Sequence, residues 1–506
     1  MARLNARELL DLVLDPGSWE PWDTPLARTG VSEEYAATLA AAQEKSGADE
    51  SVITGAGTIA GHRVALLVSE FGFLAGSIGR DAADRLVAAI TRATAEGLPL
   101  FGAPASGGTR MQEGTPAFIQ MVRIGEALLA HKAAGLPYIV YLRHPTTGGV
   151  MATWGSLGHI TVAEPRALLG FLGPKVVELV TGEALPDDVQ RAETLSTQGI
   201  IDGVLLPAEL RVVAATLLDL LAPPPSPVTP PGQERNFSAT TPAEKFPSHR
   251  LTGDSTPEAV DAWTRIERTR RAERPGIREL LALASSVVPL QGTTRGERDN
   301  GILLALARFG DQACVVVAQD RAAQAKRPFG PSGLRAAQRG IALAESLRLP
   351  LLTVIDTPGA ELSARAENGA IAGEIARTLA ALVAVRTPTV SLMLGQGNGG
   401  GALALLPADR ILAAGNAWLT PLPPEGASAI VHGDVEHAAE IANAQQVLAL
   451  DLAERGVVDR IVEETPDAAD DPDDFLARVA ATVADELAVV RRQGAGTPAA
   501  RAARYL

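Results

Sequence analysis

Two stretches of this chain, 252 residues apart, repeat one pattern: a β-type run, a short polar turn, then adjacent glycines opening an apolar helix. The first is Tyr138-Ile139-Val140-Tyr141-Leu142, followed by His144-Pro145-Thr146-Thr147-Gly148-Gly149-Val150. The second is Thr389-Val390-Ser391-Leu392-Met393-Leu394, followed by Gly395 through Gly401-Ala402. Other landmarks keep their order and spacing. Leu98-Pro99-Leu100 returns as Leu349-Pro350-Leu351, and each leads a β-type run into a turn, Ser106-Gly107-Gly108-Thr109 and Asp356-Thr357-Pro358-Gly359. Pro137 and Pro388 introduce the next strand of each half, and Gly199-Ile200-Ile201-Asp202-Gly203-Val204 returns as Gly456-Val457-Val458-Asp459-Arg460-Ile461. A period this long means duplicated domains, since solenoid repeats recur every few tens of residues.

A chain of 506 residues exceeds what one core usually supports, and its 46% hydrophobic content is ample for two. The run Ala222 to Gly232 holds six prolines and reads as an extended spacer without a packed core. The expected division is a first domain over 1–225, a Pro-rich linker over 226–250 and a second domain over 251–506. Strand, turn and helix alternate in each half, with strand Val64 to Val68 and helices Asp81 to Glu96, Ala117 to Ala134 and Arg335 to Leu347. That alternation predicts α/β layers, with turns at strand ends where ligand crevices form.

A net charge of −14 opposes binding to nucleic acid or anionic lipid. The start of the chain lacks the apolar core of a signal peptide, and no apolar run reaches membrane-spanning length. With Cys314 alone, neither an intrachain disulfide nor a thiolate zinc site forms. These features predict a cytoplasmic protein that binds neither nucleic acid nor membrane and needs no metal.

Backbone N–H groups at a helix start bind developing negative charge, and adjacent glycines let a substrate oxygen approach them. The duplicated glycines therefore predict two oxyanion sites. Gly395-Gln396-Gly397-Asn398-Gly399-Gly400 also matches a dinucleotide-binding G-x-G-x-x-G, but Pro407 cuts the following helix short and no acidic residue stands about 20 positions on. Ser106 lies in no G-x-S-x-G context, which leaves nucleophilic serine chemistry unsupported. His144, Glu113 and Glu367 stand near the turns; a supporting hydrogen bond for the first and helix-start roles for the two acids are preferred to proton transfer.

The sequence resembles the carboxyltransferase of biotin-dependent acetyl-CoA and acyl-CoA carboxylases, of the crotonase-like superfamily, over nearly its whole length. The first half is similar to the β subunit through Glu70-Phe71-Gly72-Phe73-Leu74-Ala75-Gly76-Ser77, Ser106-Gly107-Gly108-Thr109-Arg110-Met111-Gln112-Glu113-Gly114, Pro145-Thr146-Thr147-Gly148-Gly149-Val150, and Ala163-Glu164-Pro165 with Gly170-Phe171-Leu172-Gly173-Pro174. The second half is similar to the α subunit through Ile355-Asp356-Thr357-Pro358-Gly359-Ala360, Gly399-Gly400-Gly401-Ala402-Leu403-Ala404 and Pro424-Glu425-Gly426-Ala427-Ser428-Ala429. A β–α fusion of two tandem crotonase-like domains follows.

The resemblance implies transfer of a carboxyl group from carboxybiotin, tethered to a partner carrier protein, to the α-carbon of an acyl-CoA, most simply acetyl-CoA. Biotin itself takes the α-proton, so no protein base is required. Two anions need aimed donors, each worth about 3–4 kcal/mol. Gly148 and Gly149 are assigned to the thioester oxygen, helped by Gly107 and Gly108. Gly401 and Ala402 are assigned to the biotin carbonyl, with Gly400 and Gly359 lining that side; the division could be reversed. A biotin carboxylase and carrier subunit would be the partners, and the site would lie between subunits of a homo-oligomer. No four-cysteine zinc ribbon is present. Glu361-Leu362-Ser363-Ala364-Arg365 stands where α subunits continue with Tyr-Pro-Gly, and Gln319-Asp320-Arg321 replaces a basic, Gly-containing turn. A malonyl-CoA-type decarboxylase and a non-catalytic scaffold are the two alternatives.

Overall fold

The computed structural model describes residues 4–221 and 261–505, apart from 27, 29, 30, 109, 114–116, 118, 119, 171–173, 175–183, 364, 365, 367, 368, 422, 445 and 446. Both proposed domain boundaries, the Pro-rich run and Glu367 lie outside the described residues.

In the first half the strands are β1 (Glu20–Pro21), β2 (Val52–Ile59), β3 (His62–Ser69), β4 (Leu100–Ala103), β5 (Tyr138–Leu142), β6 (Thr146–Thr147), β7 (Ile160–Ala163), β8 (Leu169–Gly170) and β9 (Gly203–Val204). Seven of them form one sheet in the order β1-β2-β3-β4-β5-β7-β9, while β6 and β8 pair separately. The second half has β10 (Ser286–Leu290), β11 (Ile302–Phe309), β12 (Gln312–Gln319), β13 (Leu351–Thr357), β14 (Thr389–Asn398), β15 (Arg410–Ala414), β16 (Trp418–Thr420) and β17 (Arg460–Val462). Its sheet runs β10-β11-β12-β13-β14-β15-β17, with β16 paired to the end of β14.

The two sheets are copies. Each has an antiparallel edge strand, β1 or β10, beside an antiparallel hairpin, β2–β3 closed by Ala60-Gly61 and β11–β12 closed by Gly310-Asp311, whose left-handed φ values (49°, 84° and 55° at Ala60, Gly61 and Gly310) match the twist of a two-residue turn. Each continues as a parallel run: Ala65 opposes Leu100 and Leu100 opposes Tyr138, as Val315 opposes Leu351 and Leu351 opposes Thr389. Parallel strands need both faces covered, and every residue of β5, β13 and β14 is buried. The expected helices form, as Arg80–Ala95 and Pro331–Leu347 on the corresponding crossovers and Gln120–Ala133 after the first turn.

The repeated Gly-x-x-Asp segments close each sheet in the same way. Asp202 N–H donates to Thr161 O at 2.7 Å and Asp459 N–H to Ile411 O at 2.8 Å, while the carboxylates accept Thr161 N–H and Ile411 N–H. The halves also share one hydrophobic core. Leu210, Ala214, Leu217 and Leu218 of the helix Pro207–Leu221 join a buried cluster with Leu66 and Phe101 on one side and Leu304 and Leu306 on the other. Polar ties cross the same seam, from Arg339 to Asp202 at 2.8 Å and from Thr294 N–H to Gly199 O at 2.8 Å.

Candidate functional site

Ser106-Gly107-Gly108 and Thr357-Pro358-Gly359 are the same turn, 251 residues apart. Ser106 Oγ accepts the Gly108 N–H at 2.9 Å and Thr357 Oγ1 accepts the Gly359 N–H at 3.0 Å. Gly108 and Gly359 take φ values of 111° and 128°, which an L side chain rarely adopts. In the first copy the Gly107 N–H is also engaged, by Ala75 O at 2.9 Å. In the second, position 358 is proline and has no N–H. The amides of Gly107, Gly108 and Gly359 are therefore held by the protein's own oxygens.

Free donors stand on the adjoining helix starts. Helix Gly148–Met151 follows β6, and helix Gly399–Leu403 follows the end of β14. Gly148 (φ 64°) and Gly399 (φ 71°) occupy the first position of each helix, after Thr147 pairs with Gly170 and Asn398 with Thr420. Gly149 and Gly400 are next in line. Neither N–H has an acceptor among the described residues, as the first amides of a helix lack intrahelical partners. Gly401 and Ala402 lie one and two residues deeper. Gly401 faces Phe329, its C=O accepts Gln319 Nε2–H at 2.9 Å, and Ala402 is fully buried. The spatial repeat is thus 251 residues here, and it pairs Gly149 with Gly400 where the sequence alone aligns Gly149 with Gly401.

The first pair of turns is welded together. Ser106 N–H donates to Pro145 O at 2.7 Å, Thr147 N–H returns to Ser106 O at 2.9 Å, and the segments pass so closely that a Cβ on Gly108 would lie 3.3 Å from Gly148 Cα. In the second pair Asn398 Nδ2–H reaches Pro358 O at 2.6 Å, and Asp356 Oδ1 accepts the Gln396 N–H at 3.1 Å. Burial pushes the Asp356 carboxyl above the usual range against the pull of Arg321 and Arg274.

Beneath the first turn lies a buried ion pair whose role the sequence did not disclose. Arg110 is 1% exposed and binds Glu50 through both terminal nitrogens, while its N–H donates to Ile78 O and Ile78 N–H donates to Gly108 O, both at 3.0 Å. Burial works against the guanidinium charge, but the Glu50 carboxylate outweighs it and holds the Arg110 pKa above its ordinary value. Arg110 sat inside the motif Ser106 to Gly114; only its pairing with a residue 60 positions away was invisible. Glu113 accepts the Arg80 N–H at 2.7 Å and the Tyr35 O–H at 2.7 Å, so it satisfies a first-turn amide of the helix Arg80–Ala95, far back along the chain, where the sequence suggested an acid at a helix start of its own. Burial and that carboxylate push the Tyr35 phenol up to about 12. His144 Nδ1 accepts the Leu168 N–H at 3.0 Å, a supporting bond that holds the strand end behind the glycines.

Residues 1–493 match the family described as Carboxyl transferase domain. The chain belongs to the carboxyltransferase family. It is 52% identical over 494 residues to a probable biotin-dependent acyl-coenzyme A carboxylase beta3 subunit of Mycobacterium tuberculosis (strain ATCC 25618 / H37Rv), covering 97% of this chain and 96% of that one. It is 36% identical over 482 residues to the acetyl-coenzyme A carboxylase carboxyl transferase subunits beta/alpha of Salinispora arenicola (strain CNS-205), covering 92% and 84%. Among solved structures, this carboxyltransferase superposes on transcarboxylase 12S with a TM-score of 0.74 at 20% identity, covering 98% of this chain and 91% of that one. The likeness in fold is that of two crotonase-like domains in tandem. As a family member the protein is a carboxyltransferase of the biotin-dependent acyl-CoA carboxylase type. Among the described residues no cluster of three His, Cys, Asp or Glu side chains is placed to hold a metal, and no helix is long and apolar enough to cross a membrane.

Proposed function

We propose that this carboxyltransferase moves the carboxyl group from carboxybiotin, carried by a partner protein, to acetyl-CoA or another short acyl-CoA, giving malonyl-CoA or its homologue. The single observation that carries the site assignment is the pair of unengaged N–H groups, Gly149 and Gly400, at matched helix starts. The Gly149 N–H, on a turn pinned by Gly148 and Gly108, aims at the thioester oxygen and stabilises the enolate formed as the α-proton leaves. The Gly400 N–H, with Gly401 and Ala402 fixing the helix behind it, serves the ureido oxygen of biotin. Loss of carbon dioxide from carboxybiotin would leave the biotin ureido group as an anion able to take the α-proton, which suits a site whose near acid and imidazole, Glu113 and His144, are both committed to structural bonds. The new C–C bond forms between the enolate α-carbon and carbon dioxide. Each such donor is worth about 3–4 kcal/mol in the transition state.

The two sites act together only where a thioester and a tethered ring can share one cleft, and a second copy of the chain supports that arrangement. Met111 and Leu362 follow the two turns at the same 251-residue spacing and are 81% and 95% exposed. Large apolar side chains so exposed beside a catalytic turn fit burial against a neighbouring subunit. The reaction is tested by reconstitution with a biotinylated carrier, comparing acetyl-, propionyl- and longer acyl-CoA and running malonyl-CoA with free biotin in reverse. Carbon dioxide release from malonyl-CoA without biotin would instead mark a decarboxylase. Absence of turnover in every arrangement would leave a scaffold.

A further inference from the structure

At the seam between the halves a cavity is bounded on one side by Lys132 and His159 and on the other by Arg295, Arg335, Arg339 and Arg377. Five cations and one lining carboxylate, Glu374, are unusual in a chain of net charge −14. Three of the cations are balanced. Arg335 pairs with Glu297 at 2.6 Å and Glu374 at 2.9 Å, Arg377 with Glu374 at 2.8 Å, and Arg339 with Asp202 at 2.8 Å, so three arginines meet three carboxylates. The Lys132 ammonium donates to Leu157 O at 2.9 Å and, among the described residues, neither it nor Arg295 has a carboxylate within ion-pair distance. Burial alone depresses the Lys132 pKa, the sign of a cation drawn out of water without an anion beside it. An ammonium half out of water is costly unless paired.

His159 adds no charge. It is 5% exposed, its Nδ1 accepts the Tyr138 N–H at 3.0 Å, and its Nε2 therefore donates to Ser346 Oγ at 2.8 Å across the seam. Once the carboxylates paired with Arg335, Arg339 and Arg377 are counted, the cavity keeps an excess of two positive charges. We propose that this cavity is a binding site for a phosphate dianion, either free phosphate or a phosphomonoester, held between Lys132 and Arg295 and clasping the two halves. It is separate from the glycine turns. Lys132 and His159 stand at the N-terminal ends of β5 and β7, whereas Gly149 follows the C-terminal end of β5. The ligand is therefore a structural or regulatory anion and not a reactant at the oxyanion sites.

The full-length protein is titrated calorimetrically with inorganic phosphate against chloride at matched ionic strength, and in parallel with 3′,5′-ADP, which carries the phosphates of a CoA tail. Saturable phosphate binding is expected, weakened about tenfold by Arg295→Ala and by Lys132→Met, but unchanged by Arg327→Ala, which removes an exposed cation elsewhere. Lys132→Met is also expected to raise the melting temperature in chloride while losing the further rise that phosphate gives the wild type. Binding of phosphate alone identifies a free anion as the ligand; competition by 3′,5′-ADP identifies a phosphomonoester. Absence of saturable binding by the wild type to either probe, or equal weakening by Arg327→Ala, overturns the site.

Discussion

The Cα of Gly108 lies 2.9 Å from where a Cβ on Gly148 would stand, so the two turns of the first half meet backbone against backbone. No side chain larger than hydrogen fits between them. That contact is what fixes the Gly149 amide relative to the turn at Ser106.

Gly148→Ala therefore carries two penalties. Its φ of 64° costs an L residue about 1–2 kcal/mol, and the new methyl pushes the turns apart. The variant is expected to remain folded by circular dichroism while kcat for acyl-CoA carboxylation falls about 100-fold, the loss typical of one misplaced oxyanion donor. Unchanged kcat would remove this turn from the site.

At the second site the sensitive contact is packing. A Cβ on Gly401 overlaps the ring of the fully buried Phe329, so Gly401→Ala overpacks the core and is expected to lower stability by about 1–3 kcal/mol in urea unfolding. Phe329→Leu vacates that space, and the double variant should lose less than the two single losses combined, with a coupling of about 0.5–3 kcal/mol. Strict additivity would contradict the contact.

His159 makes stability fall with acid. Burial first, then the charges of Lys132 and His131, lower its folded pKa from 6.5 to about 3. The unfolded chain then takes up a proton that the folded one refuses, so the contribution is whole above pH 6.5 and is lost as pH drops toward 3, at up to about 1.4 kcal/mol per pH unit. His159→Gln should flatten that limb in denaturation followed between pH 7 and 4. A wild-type slope retained in the variant would assign the acid sensitivity to other groups.

Subunit association is expected to depend on Met111 and Leu362, whose exposed side chains sit at equivalent places in the two halves. Met111→Asp and Leu362→Asp, alone or together, should shift the protein toward monomer in sedimentation velocity. Activity should fall in parallel, since the Gly149 and Gly400 sites would no longer share a cleft. Association unaffected by both charges would place the interface elsewhere.

Much of the architecture was legible because duplication writes itself along the chain. Pro137 and Pro388, the Asp202 and Asp459 segments, and the turn at Ser106 and its counterpart at Thr357 hold the same places in both sheets. Less legible was the register within the glycine-rich run Gly395 to Gly401. Any of several glycines there can open a helix, and only the pairing of β14 with β16 through Asn398 and Thr420 starts it at Gly399. The Arg110–Glu50 pair was also hidden, since partners 60 residues apart leave no local signature.

The sequence by itself determined that there are two α/β halves, the order of their elements, and a pair of helix starts rich in glycine, because hydrophobic period, proline and glycine act over a few residues at a time. Tertiary structure alone decided which amides remain free among the described residues, Gly149 and Gly400 and not Gly107, and which cations there are left unbalanced at the seam. Those properties depend on what a group meets from distant parts of the chain: an N–H is a donor to substrate only where no oxygen of the protein reaches it first.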